Sequence, residues 1–470
     1  MGATIRKLVI GLLLVAVPLG AIAWYYLLRQ VPARFTTDEE YFKYGSVGVE
    51  AASGVPYWIW YVLPQVFADK LPAGSKSYAD FGFISEQGRE GPVGLPIMTV
   101  GFKRLGINCG LCHTAAIRKA PGEEPVIIPG TPTSTLDLQA YLRFLFACAE
   151  DPRFNADTLI PAIEAVYDLP FIEGLLYRHL VIPQMKKTLM KQRAQTAWMD
   201  TVPDWGPGRQ DPFNPAKSQI LKLPYDGSVG AADVIPLWNW EAHQGFALHW
   251  DGLNTSLEEV LLNSGIGNGA SNETIDIEGL HRIGAYITKL PPPPYPFPID
   301  NALAERGAVV FANRCAGCHA FGSPQVGQPM RMEHLGTDRE RIASWSQATA
   351  DAFHALEIYS WRYTHFRDSF GYVAVALDGI WARAPYLHNG SVPSLRALLE
   401  SPADRPVVFH RGYNVYAPGD MGFVSGGPEA EKAGRALDTR LRGNANGGHD
   451  FGTDLPDEDK SALLEYLKTL

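Results

Sequence analysis

Basic charge is nowhere concentrated in this sequence. Lys and Arg number 41 against 50 Asp and Glu in 470 residues, a formal net charge of −9, and no stretch gathers a Lys/Arg block. A nucleic-acid partner is therefore excluded, because phosphate binding needs a concentrated basic face. Charge of either sign is modest at 19%, against 46% hydrophobic residues, a balance that excludes a disordered chain. The length is too great for one ordinary core and implies two or three domains. Cysteine is scarce, with five residues in all, so the placing of each one is informative.

Four of the five fall into two C-x-x-C-H strings, Cys109-Gly110-Leu111-Cys112-His113 and Cys315-Ala316-Gly317-Cys318-His319. This spacing is that of c-type haem attachment. Two thiols so placed can add to the two vinyl groups of one porphyrin, and the adjacent His then offers an axial nitrogen to the iron. The competing reading, a redox dithiol or half a zinc site that happens to precede a His, would have to arise twice. The expected cofactors are two covalently bound haems c, with His113 and His319 as proximal metal ligands. Cys148 lies in the apolar run LRFLFACAE and reads as a buried helix residue.

Arg6 and Lys7 precede an apolar run from Leu8 to Leu28, and Arg29 follows it. The run is long enough to cross a bilayer once. With the basic side in the cytoplasm, the rest of the chain lies outside. Ala21-Ile22-Ala23 resembles a signal-peptidase site. The apolar run nevertheless continues through Trp24, Tyr25 and Tyr26, and interfacial aromatics favour a retained anchor. Either alternative puts the haems in the periplasm of a bacterium, and the anchor would hold them at the inner membrane.

Residues 31–108 are rich in aromatics, Gly and Pro, and PYWIWYVLPQVF reads as packed irregular structure, with core packing rather than a channel lining as its role. From about Thr133 to Arg193 the apolar spacing turns helical. Ser256 with two acids behind it starts a helix, and IEGLHRIGAYITKL (277–290) makes another. The run Pro291-Pro292-Pro293-Pro294-Tyr295-Pro296-Phe297-Pro298 is stiff and extended and marks a boundary. Beyond it, NALAERGAVVFANR runs as a helix into the second haem string, and DLPDEDKSALLEYLKTL closes the chain as an amphipathic helix. The expected fold is mainly α. Residues 1–30 form the anchor or signal segment, 31–290 an N-terminal cytochrome c-type domain, 291–300 a Pro-rich linker, and 301–470 a C-terminal cytochrome c domain.

Three features together resemble the bacterial di-haem cytochrome c peroxidase superfamily. They are ALDGIWARAPYLHNGSVPSLRALL (376–399), DVIPLWNWEAHQGFALHWDGLNTSLEEVL (233–261), and their order relative to the two haem strings. Within it the sequence is most similar to the rubber-oxygenase-like di-haem cytochromes, through RLGINCGLCHTAAIR (104–118), PGRQDPFN (207–214), LHWDG (248–252), PPPPYPFPID (291–300), LHNGSVPSL (387–395) and FGTDLPDEDKSALLEYLKTL (451–470). The resemblance implies unequal haems: a reactive one at His113 and an electron relay at His319. It implies an electron-donor or acceptor protein, such as another cytochrome, and O₂ or peroxide as oxidant. It also brings a calcium ion, which related peroxidases hold between their domains and in favour of which this sequence offers only Pro385.

The departures from the peroxidases are informative. No histidine occurs between His113 and His179, where they carry a displaceable distal ligand. The first iron is therefore expected to be open. Their proton-moving glutamate after WDG has only Glu273 as a candidate beyond Glu258 and Glu259, which argues against an efficient peroxidase. His249 is a candidate acid/base beside the first haem, against the alternative of a structural histidine. Trp250 is the candidate bridge between the haems, against ordinary aromatic packing. Near the place of the peroxidases' second axial methionine this sequence has Pro402, with Met421 further on. The rubber-oxygenase relatives are bis-histidine at this iron. The candidates are His388, His410 and His449, and His388 is favoured because it lies in the strongest motif; its alternative role is a hydrogen bond to a haem propionate. The leading functional expectation is a periplasmic di-haem oxidoreductase. A membrane-anchored electron carrier without chemistry of its own is the rival, and a subunit that only binds partners is the weakest reading.

Overall fold

The computed structural model describes residues 2–72 and 75–470. The side chains of residues 2–5, Lys7, Leu12, Val15 and Ile22 lie outside the described residues, so the expectations on Lys7 as a flanking cation and on Ile22 in the Ala21-Ile22-Ala23 string go no further. Gly2–Ala23 is one α-helix, and Trp24–Leu28 continues it with wider turns. The stretch Leu8–Leu28 has a mean hydropathy of 2.3, and none of its described residues is buried in the rest of the chain. It is long and apolar enough to cross a membrane, a test that a signal sequence also passes.

The body is mixed α/β, with 42% helix and about 10% strand, and this corrects the mainly-α expectation. The strands are two to four residues long. Gln30–Val31, Ile97–Val100, Phe102–Leu105 and Val55–Pro56 form one antiparallel sheet in that order. Five two-stranded ribbons complete the set. Segments this short cannot display an alternating pattern, and some, such as Gln30–Val31 and Val55–Pro56, pair with strands far along the chain, so local periodicity does not reveal them. The aromatic segment is also more regular than expected. Tyr57–Val66 is a helix despite Pro64, because Tyr57, Ile59, Trp60, Val62 and Leu63 are all buried together. Tertiary burial outweighs the poor helix propensity of aromatic and β-branched residues. Those side chains are core, as expected, and Cys148 is fully buried in the helix Leu138–Glu150.

The helices with clear caps form where the spacing puts them. Ser256 accepts from the Glu259 N–H and starts Leu257–Gly267. Asp276 caps Ile277–Lys289, and Asp300 caps Asn301–Arg314, each through its side chain. The helix Asn301–Arg314 packs against the closing helix Asp457–Leu467 so closely that a Cβ at Gly307 would lie 1.9 Å from the Ala462 carbonyl oxygen. The proline run does not stand free. Trp381 Nε1 donates to the Pro293 carbonyl at 2.7 Å, and Tyr295 and Phe297 pack on the core built from residues 311–467. That same core takes in Ala115, Ile117 and Trp238, so the segments flanking the first C-x-x-C-H string interlock with the C-terminal half.

Candidate functional site

The two C-x-x-C-H strings adopt the same turn. The His113 N–H donates to the Cys109 carbonyl at 3.0 Å, and the His319 N–H donates to the Cys315 carbonyl at 3.0 Å. One helical turn places cysteines three apart on one face with the histidine next to them. The Asn108 side chain accepts from the Gly110 N–H and donates to the Gly45 carbonyl, which pins the first turn to the rest of the N-terminal region. Burial pushes the Cys109 thiol up to about 11 and the Cys112 thiol to about 12; Cys315 rises to about 11 for the same reason. Reactive dithiols and zinc thiolates need the opposite shift.

Each histidine is held by its ring. His113 Nδ1 donates to the Ile235 carbonyl at 2.8 Å, and His319 Nδ1 donates to the Val375 carbonyl at 2.7 Å. This bond fixes the tautomer and leaves Nε2 as a free lone pair for a metal. Burial keeps both imidazoles neutral, His113 down to about 4 and His319 lowered in the same sense. The two carbonyls are delivered alike. The ribbon Arg209–Gln210/Ala232–Asp233 ends two residues before Ile235, and the ribbon Pro329–Arg331/Gly371–Val373 ends two residues before Val375. The strands missed in the sequence are therefore the parts that aim both histidines, through backbone atoms that leave no side-chain signature.

The Val375 segment is braced by a buried carboxylate. Asp378 takes hydrogen bonds from Asn239 at 2.9 Å and Arg383 at 2.9 Å, and its Oδ1 meets His243 Nε2 at 3.2 Å. Burial alone would raise its pKa, but His243, Arg383 and Asn239 bring it down to about 2. Arg383 also donates to the Ala376 carbonyl.

Trp250 is tied to both halves. Its Nε1 donates to the Asp233 carbonyl at 2.8 Å, two residues from the His113 acceptor. Its own carbonyl accepts from the Val373 N–H at 2.7 Å, two residues from the His319 acceptor. His249 has a left-handed backbone with φ 66°, and its half-buried ring is kept neutral by desolvation and is near enough to His113 to lower that residue's pKa.

A second imidazole faces His319, and it belongs to His449. The two ring centroids are 6.2 Å apart with planes at 43°. Two imidazoles sharing one metal at about 2.0 Å from each nitrogen have centroids roughly 6 Å apart, so this pair fits a haem iron held from both sides. Burial pushes His449 down to about 4, with His319 adding to the effect. Of the histidines weighed for this iron, His449 is the one whose ring pairs with His319. His388 instead stacks on Tyr372 at 3.9 Å, is buried, and leaves Nε2 without a partner. His410 lies in the ribbon Val408–Arg411 and lines a small cavity with Ser134 and Arg411. Met421 is fully buried in the C-terminal core. No ring pairs with His113 among the described residues. Glu273 is exposed and bonded by Ser271. Glu259 is buried and taken up by Asn254, Thr364 and His365, and Glu258 lies on the surface beside His281. Among the described residues no cluster of three or more His, Cys, Asp and Glu could hold a bare metal ion, calcium included.

A family model described as RoxA-like, cytochrome c-like matches residues 371–410, the stretch that contains Val375 and His388. The chain is 32% identical over 289 residues to the uncharacterized protein y4iM of Sinorhizobium fredii (strain NBRC 101917 / NGR234), across 50% of this chain and 64% of that one. It is 30% identical over 256 residues to the uncharacterized protein y4iJ of the same organism, across 39% of this chain and 42% of that one. The chain thus matches under two thirds of the length of either relative. The RoxA-like segment supports a haem-binding redox protein that carries haem c.

Proposed function

We propose that this chain is a di-haem c-type oxidoreductase with unequal haem sites. Cys109 and Cys112 with His113 hold one haem. Cys315 and Cys318 with His319 hold the other, and His449 takes the opposite axial position there. Haem c supplies each site with an iron that exchanges one electron and, where an axial position is open, reacts with O₂ or peroxide. The reading rests on one asymmetry: His319 is faced by His449 at 6.2 Å, whereas no ring pairs with His113 among the described residues. Two nitrogen ligands suit the His319 site to relay electrons, and the site at His113 is left for chemistry. Trp250 spans the two proximal segments and carries electrons between them. The partners are a redox protein, such as another cytochrome, and O₂ or peroxide. The N-terminal helix anchors the chain at a bacterial inner membrane, with the haem sites in the periplasm.

His249 favours a second reading. It is a half-buried neutral imidazole in the neighbourhood of His113, and a nitrogen from its ring at the open position would make both sites six-coordinate, as an electron carrier requires. Low-temperature electron paramagnetic resonance of the oxidised holoprotein separates the two. One low-spin and one high-spin ferric signal, with a spectral response of the reduced protein to O₂ or peroxide, supports the oxidoreductase. Two low-spin signals without a response, one of them lost in His249→Phe, establish the carrier.

A further inference from the structure

A buried guanidinium without a partner marks an anion that the protein chain itself does not provide. Arg209 is 2% exposed, and its Nε and Nη1 are buried with no hydrogen-bond partner among the described residues. Its cross-strand neighbour is Asp233. That carboxylate is already engaged by Arg411, which also donates to the carbonyls of Pro207 at 3.0 Å and Gly390 at 2.8 Å. A second guanidinium, on Arg341, is 4% exposed and lies 3.0 Å from the Asp251 carboxylate, but the pair is not aligned for a hydrogen bond and Arg341 Nε is left without one. Asp233 and Asp338 lie near Arg209 and Asp251 lies near Arg341, but buried donors left without a bond are still costly, and a further anionic acceptor would complete them.

The position of Arg209 names the counter-ion. Gln210, the next residue, has its Oε1 3.9 Å from Cys112 Sγ, and Asp233 is two residues from the carbonyl that holds His113. The Asp233 carbonyl also accepts from Trp250 Nε1, and Asp251, next to Trp250, is the ion-pair partner of Arg341. Arg209 and the first C-x-x-C-H string therefore share one neighbourhood. A porphyrin of the haem c type bears two carboxylates, and a planar guanidinium matches a carboxylate fork to fork.

We propose that Arg209 is the anchor for a carboxylate of the haem attached at Cys109 and Cys112. The inference rests on the reading that a haem is attached there. The same chemistry would also suit a free anion, and the test separates the two sources. Arg209→Gln and Arg209→Lys are prepared as full-length holoproteins, attachment at each string is read by peptide mass, and the midpoint potential of each haem is titrated at fixed pH. Loss of a positive charge beside a haem favours its ferric form. Arg209→Gln should shift the ferric-to-ferrous ratio of the His113 site about tenfold at a fixed potential, or 59 mV downward for one electron. The His319 site should move less. Arg209→Lys keeps the charge but not the fork, and it should shift the same site about threefold in the same direction; this arm stands even where Arg209→Gln fails to mature. Inorganic phosphate added to the wild type should change nothing.

An unchanged potential at the His113 site in both variants, with both haems attached, would overturn the anchor while leaving the di-haem reading intact. A larger shift at the His319 site than at the His113 site would do the same. A phosphate-dependent potential in the wild type that Arg209→Gln abolishes would mean that Arg209 receives a free anion, and would also overturn it. A Cys109–His113 peptide without haem mass would remove the di-haem reading and this inference together.

Discussion

Replacing Gly307 by alanine sets two effects of opposite sign against each other. Alanine is the better helix former by about 1 kcal/mol, so in isolation the helix Asn301–Arg314 would gain. The added Cβ would, however, lie 1.9 Å from the Ala462 carbonyl oxygen, 2.5 Å from its carbon and 2.9 Å from Tyr466 Cβ. Ordinary contact is about 3.4 Å or more, so the two helices must part by roughly 1.5 Å at this point. The first obstacle is backbone and cannot rotate away. The cost therefore falls at the upper end of the ~1–3 kcal/mol typical of overpacking. The parting also loosens Phe311 against Tyr466, whose ring centroids are 5.1 Å apart. The net expectation is a loss of about 2 kcal/mol, with the clash outweighing propensity. Gly267→Ala is the control: it ends the helix Leu257–Gly267, and outside its own helix backbone and chain neighbours no atom lies within 4 Å of its Cβ; with propensity unopposed it should be neutral to stabilising, by up to about 1 kcal/mol. Urea unfolding followed by circular dichroism and by haem absorption measures both. A Gly307→Ala protein as stable as the wild type, or more so, would refute the close-packed helix pair beside the second haem string.

His449→Ala should convert the His319 site from low to high spin, and added imidazole should restore the low-spin signal; an unaltered spectrum would mean that another residue faces His319. Trp250→Phe removes the 2.8 Å bond to the Asp233 carbonyl, and it should cost about 1–2 kcal/mol and slow inter-haem electron transfer in flash photolysis with both haem spectra unchanged; an unchanged rate takes Trp250 out of the path. Glu50 is fully buried, and burial, partly offset by its bond from Ser46, raises its pKa from 4.5 to about 6. A raised acid contributes stability that is complete below about pH 4.5 and is lost as pH rises through about 6. Glu50→Gln should therefore add ~2 kcal/mol at pH 8 and almost nothing at pH 4; equal gains at both pH values in thermal unfolding would show that the carboxyl is not the titrating group.

The parts of the site legible in the sequence are those that chemistry packs into a few adjacent letters. Cys109, Cys112 and His113, and their counterparts Cys315, Cys318 and His319, must share one turn to act together, so their spacing is local. The helix cap at Ser256 is local for the same reason, and the helix it starts begins where the sequence puts it. The run Leu8–Leu28 is equally plain, because crossing a bilayer demands a continuous apolar length.

What only the tertiary structure decided depends on residues that meet from far apart. His449 lies 130 positions after His319 in a Gly-rich stretch with no motif, and only folding brings its ring to 6.2 Å from that of His319. The carbonyls of Ile235 and Val375 that aim the two histidines belong to the backbone, which is the same at every residue and so leaves no mark in the letters. The mixed α/β body follows from strands two to four residues long, some of them paired across distant segments, as Gln30–Val31 is with Ile97–Val100. Arg209 stands in PGRQDPFN, a string that carries the resemblance without assigning the arginine a task; only its burial with unbonded donors suggests one. Local chemistry is written in the order of residues, whereas aim, pairing and burial are properties of the closed chain.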